Sequence, residues 1–409
     1  MKPKTLWICL LLVLGPFWAQ AQAFNDDDAL LVATSQLGTE RLMIAVDAEA
    51  YCIVQRIEGS GYVIVDKRQN ARRKIIGWSP DGVWQENQMP PALTNWLAEI
   101  KADTICDAFV KTKTDIHDSG SRKDSWADVL PLLTCHWHQA SPYNDLCPVI
   151  ADGNVKTAAG CVAIAAAQVI YFWRDFLPEK TLMDTPTYPY GAAPVTESIA
   201  AGTPNKWELL RDDYKNEDDQ DARAAVAQLV YVIGTSSYLH YASSTGGQIT
   251  DAGNALYAQF RMTSEKAVKA NYEQTEWECL LYDDLCEGCP IIYSGDSKGD
   301  GHAVVIDGYD SKLDLFHFNF GWGGSGDGYY TVDDVTGMNG FNQSQQCVHR
   351  IMPQGYITNI SEWREMQKSD NTFYPINGIP IKLSTSGHLP MNQLRRGIYI
   401  VNGQKIAIH

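Results

Sequence analysis

The alternation of apolar and polar positions divides the chain into four stretches. The first is a continuous apolar run from Leu6 to Trp18, preceded by Lys2 and Lys4 and followed by Ala19-Gln20-Ala21 and Ala21-Gln22-Ala23. A run this short falls below the roughly 20 apolar residues a bilayer requires, and a small-x-small end marks a cleavable signal peptide over residues 1–23. Residues 24–115 read as one compact unit. Met43–Val46 and Gly61–Val65 have strand character, and Pro90-Pro91 opens a helix over Ala92–Ile100 with Leu93, Trp96, Leu97 and Ile100 at helical spacing. Lys111–Lys123 is polar and aperiodic, which predicts an exposed linker open to proteolysis.

The third stretch, residues 116–356, reads as helical in its first half. Its second half reads as strands, over Pro290–Tyr293, Ala303–Tyr309, Leu315–Phe320, Tyr329–Val332 and Cys347–Met352. Helices followed by strands predict an α+β fold with segregated halves. In the fourth stretch, residues 357–409, apolar residues alternate on both sides of Asn402-Gly403, the signature of a β-hairpin.

Composition changes this picture in two ways. A formal net charge of −16 over 409 residues argues against a nucleic-acid partner, which needs a basic face. Of the ten cysteines, Cys9 departs with the signal peptide and leaves an odd number in an exported chain. At least one thiol is then unpaired within the chain, which makes a reactive cysteine worth seeking.

Cys161 is the candidate. It follows Gly160 and opens the run Val162–Trp173, apolar almost all round, which predicts a buried helix with Cys161 in its first turn. The unpaired N–H groups there favour a thiolate and can donate to an oxyanion. Taken alone, a cysteine is more often packed and inert. His302 lies 141 residues later, at the mouth of the apolar strand Ala303–Tyr309, a separation expected of papain-like Cys–His pairs. On the next strand, Asn319 is placed to accept the His302 ring N–H, with Trp322 to shield that bond. Gln139, 22 residues before Cys161, can give the second oxyanion hydrogen bond. Each of these residues alone is more often structural; the four in this order are hard to obtain by chance.

Gly321-Trp-Gly-Gly-Ser-Gly326 fits a dinucleotide fingerprint by letter but is followed by a strand pattern, not a helix. Cys286 and Cys289 have metal-pair spacing without a second pair nearby, and only His136 and His138 offer distant ligands, so packing or a disulfide is expected and no metal. Asp296, Asp300 and Gly301 lack the ligand count of a calcium loop.

These motifs resemble the streptopain family of papain-like cysteine peptidases, which includes the interpains. The similarity is carried by Leu132–Pro148, by Ala159-Gly160-Cys161-Val162-Ala163 with Ala167-Gln168, by Gly301–Gly308, and by Asn319-Phe320-Gly321-Trp322-Gly323-Gly324. It implies a two-lobed papain-like fold, endopeptidase activity without a cofactor, and an oxyanion hole from Gln139 and the Cys161 N–H. It also implies an inhibitory prosegment, assigned to residues 24–115, with cleavage within 111–123. The chain departs from the family pattern at Phe320, where Trp is usual, and by one extra residue between His302 and Asn319. Substrates are expected to be extended proteins or peptides, with Ser244, Gly301 and Trp322 lining their path. The tail, from Phe373-Tyr-Pro-Ile-Asn-Gly378 to Leu394–Lys405, resembles sorting segments of type IX-exported bacterial proteins, which implies an export machinery as partner and a secreted or surface-attached product. A Cys–His acyltransferase of transglutaminase type, or a non-catalytic surface adhesin, are the rival readings.

Overall fold

The computed structural model describes residues 26–102, 123, 126–332 and 343–356, apart from short gaps at 39–40, 69–70, 72, 151–154, 298–299 and 355, and four short strands between 372 and 408. The expected signal peptide and all of the linker except Lys123 lie outside the described residues.

The N-terminal unit comprises α1 (Asp26–Leu37), β1 (Leu42–Asp47), β2 (Tyr51–Arg56), β3 (Tyr62–Asp66), β4 (Ile75–Ser79) and α2 (Pro91–Ala102). The sequence reading found β1, β3 and α2 and missed α1, β2 and β4. A small ribbon, β5 (Val149–Ile150) with β6 (Val155–Lys156), precedes three helices: α3 (Cys161–Trp173), α4 (Gln220–Ser236) and α5 (Ile249–Phe260). Then come β7 (Met262–Val268), α6 (Gln274–Cys286), β8 (Ile291–Ser297), β9 (Asp300–Asp310), β10 (Leu315–Asn319), β11 (Gly328–Tyr330) and β12 (Gln343–Pro353). The tail contributes β13 (Thr372–Pro375), β14 (Ile381–Lys382), β15 (Gly397–Val401) and β16 (Gln404–Ile408). The expected hairpin is present, with Val401 opposite Gln404.

Two lobes result. In the helical lobe α3 is enclosed on nearly every side, and its short alanine face lets α4, α5 and β9 approach closely. The other lobe is a sheet ordered β1-β2-β3-β4-β11-β10-β9-β8-β12-β7. All of its neighbouring pairs are antiparallel, so the fold is α+β as expected.

The N-terminal unit and the 116–356 unit share this one sheet. Strand β4 pairs with β11 through Trp78–Tyr329 and Gly77–Tyr330. Gly77 is required there, because a Cβ on it would lie 2.6 Å from the Tyr330 ring. The Tyr62 and Tyr330 hydroxyls meet at 2.5 Å in a buried contact, and Trp96 packs edge-on against Tyr330. One apolar core therefore spans both units, joining Ile64, Ile76 and Leu93 to Phe316, Phe318 and Val332.

Helix starts differ in a way that matters for chemistry. The Asp219 carboxylate accepts from the Asp221 and Ala222 N–H groups and caps α4. A capping box of Glu273 and Glu276 closes α6. Helix α3 has no side-chain cap and starts from Gly160 at φ 93°, which leaves its first N–H groups for the Cys161 sulfur and for a substrate.

Candidate active site

Cys161 is the first residue of α3, as the sequence predicts, and remains partly exposed. Three features fix it. Gly160 has a left-handed φ, and a Cβ there would lie 2.9 Å from Thr245 Cγ2. Thr245 Oγ1 donates to the Ala158 carbonyl at 2.6 Å, and the Ala159 N–H donates to the Gln139 carbonyl at 3.0 Å. The stretch before the helix is thus pinned between two loops that also wall the cleft. Gly160→Ala should misplace the thiol through both strain and contact. A loss of roughly tenfold or more in kcat/KM is expected, with KM for a peptide substrate changing less than kcat; an unchanged kcat would contradict this account.

Burial alone would push the Cys161 thiol up, but attraction to His302, a hydrogen bond with its ring, and N–H donors from Ala303 and Val162 overcome it and hold the thiol below its ordinary value. For His302, burial pulls down, while Cys161, its hydrogen bond and the Phe320 carbonyl raise the imidazole above its ordinary value. The two shifts are mutual: each group's charged form stabilises the other's. Both directions favour the charged form of each group.

The third member differs from expectation. His302 Nε2 lies 3.1 Å from the Phe320 backbone carbonyl. A carbonyl only accepts, so Nε2 carries the proton and Nδ1 is left for Cys161. Asn319 makes no hydrogen bond to the ring. Its Oδ1 accepts from the Gly321 N–H at 3.0 Å and its Nδ2 donates to the Cys135 carbonyl at 2.8 Å, all buried. Its side chain is turned to these two backbone groups, and the expected direct bond to His302 is absent. The Gly321 N–H and the Phe320 C=O belong to one peptide group, so Asn319 holds from behind the group that holds His302. The register that sets this comes from the turn after Asp310 and a bulge between His317 and Phe318, which put Asn319 opposite Val305. Gly321 has φ 63°, and a Cβ on it would meet Ile164 at 2.8 Å, so the peptide crosses close to α3 only because residue 321 is glycine.

One cleft of about 850 Å³ runs over the pair and is lined by all the remaining candidates: Gln139, Ser244, Gly301 and Trp322. Ser244 and Gly301 are exposed on it, and Trp322 is partly covered, its ring 5.0 Å from His138. Sequence reasoning missed three contributors. The Phe320 carbonyl carries no side-chain signal at all. Asp327, nearly buried, accepts from the Phe320 N–H at 2.8 Å and faces His136 Nδ1 at 3.1 Å, fixing the loop from its other end. Pro91, Ala92 and Asn95, from the start of α2, line the same cleft, and only the break at Pro90-Pro91 hinted that this helix begins at a functional place.

Cys286, of the pair with metal spacing, is the last residue of α6, and Cys289 precedes β8. Cys289 is buried and Cys286 exposed, and no group of three or more His, Cys, Asp or Glu is placed to hold a metal ion among the described residues. His136 and His138 stand by the Gly323–Gly324 turn.

Residues 137–330 match the family model described as the Peptidase C10 family. Streptopain of Streptococcus pyogenes is 28% identical over 333 residues, which cover 73% of this chain and 80% of that protein. The thiol protease/hemagglutinin PrtT of Porphyromonas gingivalis is 23% identical over 329 residues, 74% of this chain and 37% of that protein. Among solved structures, a prointerpain A fragment from Prevotella intermedia superposes with a TM-score of 0.61 at 27% identity, covering 75% of this chain and 97% of the fragment. The family match falls on the stretch that brings Gln139, Cys161, His302 and Trp322 to one cleft, and these similarities mark the chain as a streptopain-like cysteine peptidase.

Proposed function

We propose that the chain is the precursor of an exported endopeptidase that cleaves extended polypeptides through a covalent thioester. The observation that carries this is the hydrogen-bonded Cys161–His302 pair, with thiol lowered and imidazole raised, lining an open cleft. The Cys161 thiolate attacks the peptide carbonyl carbon, and the oxyanion that forms takes hydrogen bonds from the Cys161 N–H and the Gln139 side chain. The C–N bond breaks as His302 passes its Nδ1 proton to the leaving amine. His302, now neutral, takes a proton from water, whose oxygen adds to the thioester; the acid product departs and the thiolate returns. Asn319 positions and makes no bond to the substrate.

Residues 24–115 act in this reading as the inhibitory prosegment. The start of α2 lines the cleft, and β4 occupies the β11 edge of the catalytic sheet, which supports restraint at two places. Cleavage within 111–123 releases it. Residues 1–23 direct export, and residues 357–409 serve as the sorting segment or as an accessory hairpin domain.

Hydrolysis of casein by the matured protein, under reductant and without an added amine acceptor, separates a peptidase from an acyltransferase; absence of hydrolysis there would sink the proposal. The pair also predicts a pH profile. Cys161 should be alkylated by iodoacetamide well below pH 8.5, where an ordinary thiol is mostly protonated. Its thiol is lowered, so the acid limb of reactivity lies below the usual thiol range. His302 is raised, so the alkaline limb of peptide hydrolysis lies above the usual imidazole range. In His302→Ala the factors that lower the thiol shrink while burial persists, so the alkylation profile should move to higher pH. An identical profile in that variant would show that the thiolate does not depend on His302.

A further inference from the structure

Apart from the histidines, two charged side chains line the described cleft, Lys156 and Asp296. The Lys156 ammonium is engaged, donating to the Asp145 carbonyl at 2.8 Å and the Cys147 carbonyl at 3.2 Å. Asp296 is different. It lies on β8 two residues beyond Ser294, on the same cleft-facing side, and stands opposite Gly301 in the β8–β9 ladder. A Cβ on Gly301 would lie 2.5 Å from Asp296 Oδ1, so the carboxylate lies over the backbone that leads directly into His302, and a glycine makes the room. The residue is exposed, and among the described residues no hydrogen bond or ion pair engages its carboxylate.

Asp296 lines the same cleft as Cys161 and His302, and its neighbour Gly295 pairs with His302, so an extended peptide held across the pair runs near this carboxylate. Covering it without a partner costs free energy, and a second negative charge beside it costs more. A lysine or arginine side chain supplies the missing donors and the opposite charge. We propose that Asp296 is a specificity-determining residue that makes the cleft select peptides with lysine or arginine within two residues of the scissile bond and reject those with aspartate or glutamate there. The inference rests on the peptidase reading above. The overall charge of −16 favours cationic peptides too, but without regard to where in the peptide the cation stands. Position dependence is therefore the property that separates Asp296 from the general field.

The test is a set of quenched fluorescent peptides with Arg, Leu or Glu placed in turn at each of the two positions on either side of the cleaved bond. The matured wild-type protein and its Asp296→Asn and Asp296→Lys variants are assayed at physiological salt, where long-range effects are screened. At one position the wild-type ratio of kcat/KM for Arg over Glu should exceed the ratios at the others. Asp296→Asn should reduce that ratio by roughly tenfold, the worth of one charge-assisted hydrogen bond, and Asp296→Lys should invert it. Asp296→Asn changes one charge among many, so the general field is nearly untouched. Hydrolysis with the same ratio at every position in all three proteins would overturn the proposal and leave the peptidase reading standing. No hydrolysis of any peptide by the wild type would overturn both.

Discussion

Cys161→Ala should yield a full-length precursor that neither matures in pure solution nor hydrolyses peptides. In the proposed mechanism the variant removes the one atom that bonds to the substrate, and the residual rate then comes from binding and oxyanion contacts alone. The helix start should survive, since the alanine fits where the cysteine does and Gly160 still makes the turn. His302→Ala attacks the same reaction from the other side. The thiol loses the partner that overcomes its burial and rises toward or past its ordinary value. An ordinary thiol is only a few per cent ionised at neutral pH, since each unit between pH and pKa is a factor of ten, so most of the nucleophile is lost. The amine also loses its proton donor, so a combined loss of roughly a thousandfold or more is expected. Size analysis and N-terminal sequencing of the purified precursor under reductant read both variants. If Cys161→Ala shortened at the wild-type rate without another protease present, self-processing would be wrong even though peptide hydrolysis depended on the thiol.

What could be seen in the sequence follows from how local each signal is. Gly160-Cys161 before an alanine-rich apolar run specifies both a helix and its starting residue, and the structure starts α3 at Cys161. His302 stood out because a polar, glycine-bearing stretch gives way there to a solid apolar strand. The strands β2 and β4 were missed, although Tyr51–Val54 is a buried run, because short segments between turns carry little periodicity. The junction of β4 with β11 had no signal at all, since their pairing joins residues some 250 positions apart and depends on Gly77 passing under Tyr330. The expectation for Asn319 was right about the residue's neighbourhood and wrong about its partner, because a backbone carbonyl leaves no mark on a sequence. Phe320 looked like a loss of the family's usual Trp. Its side chain packs edge-on with Tyr330 and lies nearly parallel to the His302 ring at 6.4 Å, while the atom that hydrogen-bonds His302 is one every residue type possesses.

Asn319→Ala removes the acceptor behind the Gly321 N–H and the donor to the Cys135 carbonyl, both in buried surroundings. The Phe320–Gly321 peptide can then tilt, and the carbonyl that fixes the His302 proton on Nε2 loses its direction. The Phe320 bond to a charged His302 is worth about 1.5–3 kcal/mol, and each ~1.4 kcal/mol is tenfold in rate. The loss in kcat/KM should be roughly ten- to a few-hundredfold, carried by kcat, because Asn319 does not line the cleft. The Cys161 alkylation profile should move toward higher pH in parallel, a shift that mere loosening of the fold at unchanged His302 orientation would not produce. Because the residue is buried, thermal unfolding of the variant is measured alongside, and Gly321→Ala serves as a second probe. Its Cβ, 2.8 Å from Ile164, displaces the same peptide while leaving both Asn319 side-chain groups in place. Both variants should lose kcat together. Phe320→Trp should change kcat little, since the backbone carbonyl remains. Full activity in Asn319→Ala with a wild-type pH profile would mean that the Phe320 carbonyl is held by Asp327 and the β10 ladder without Asn319, and that Cys161 and His302 work with a backbone acceptor alone.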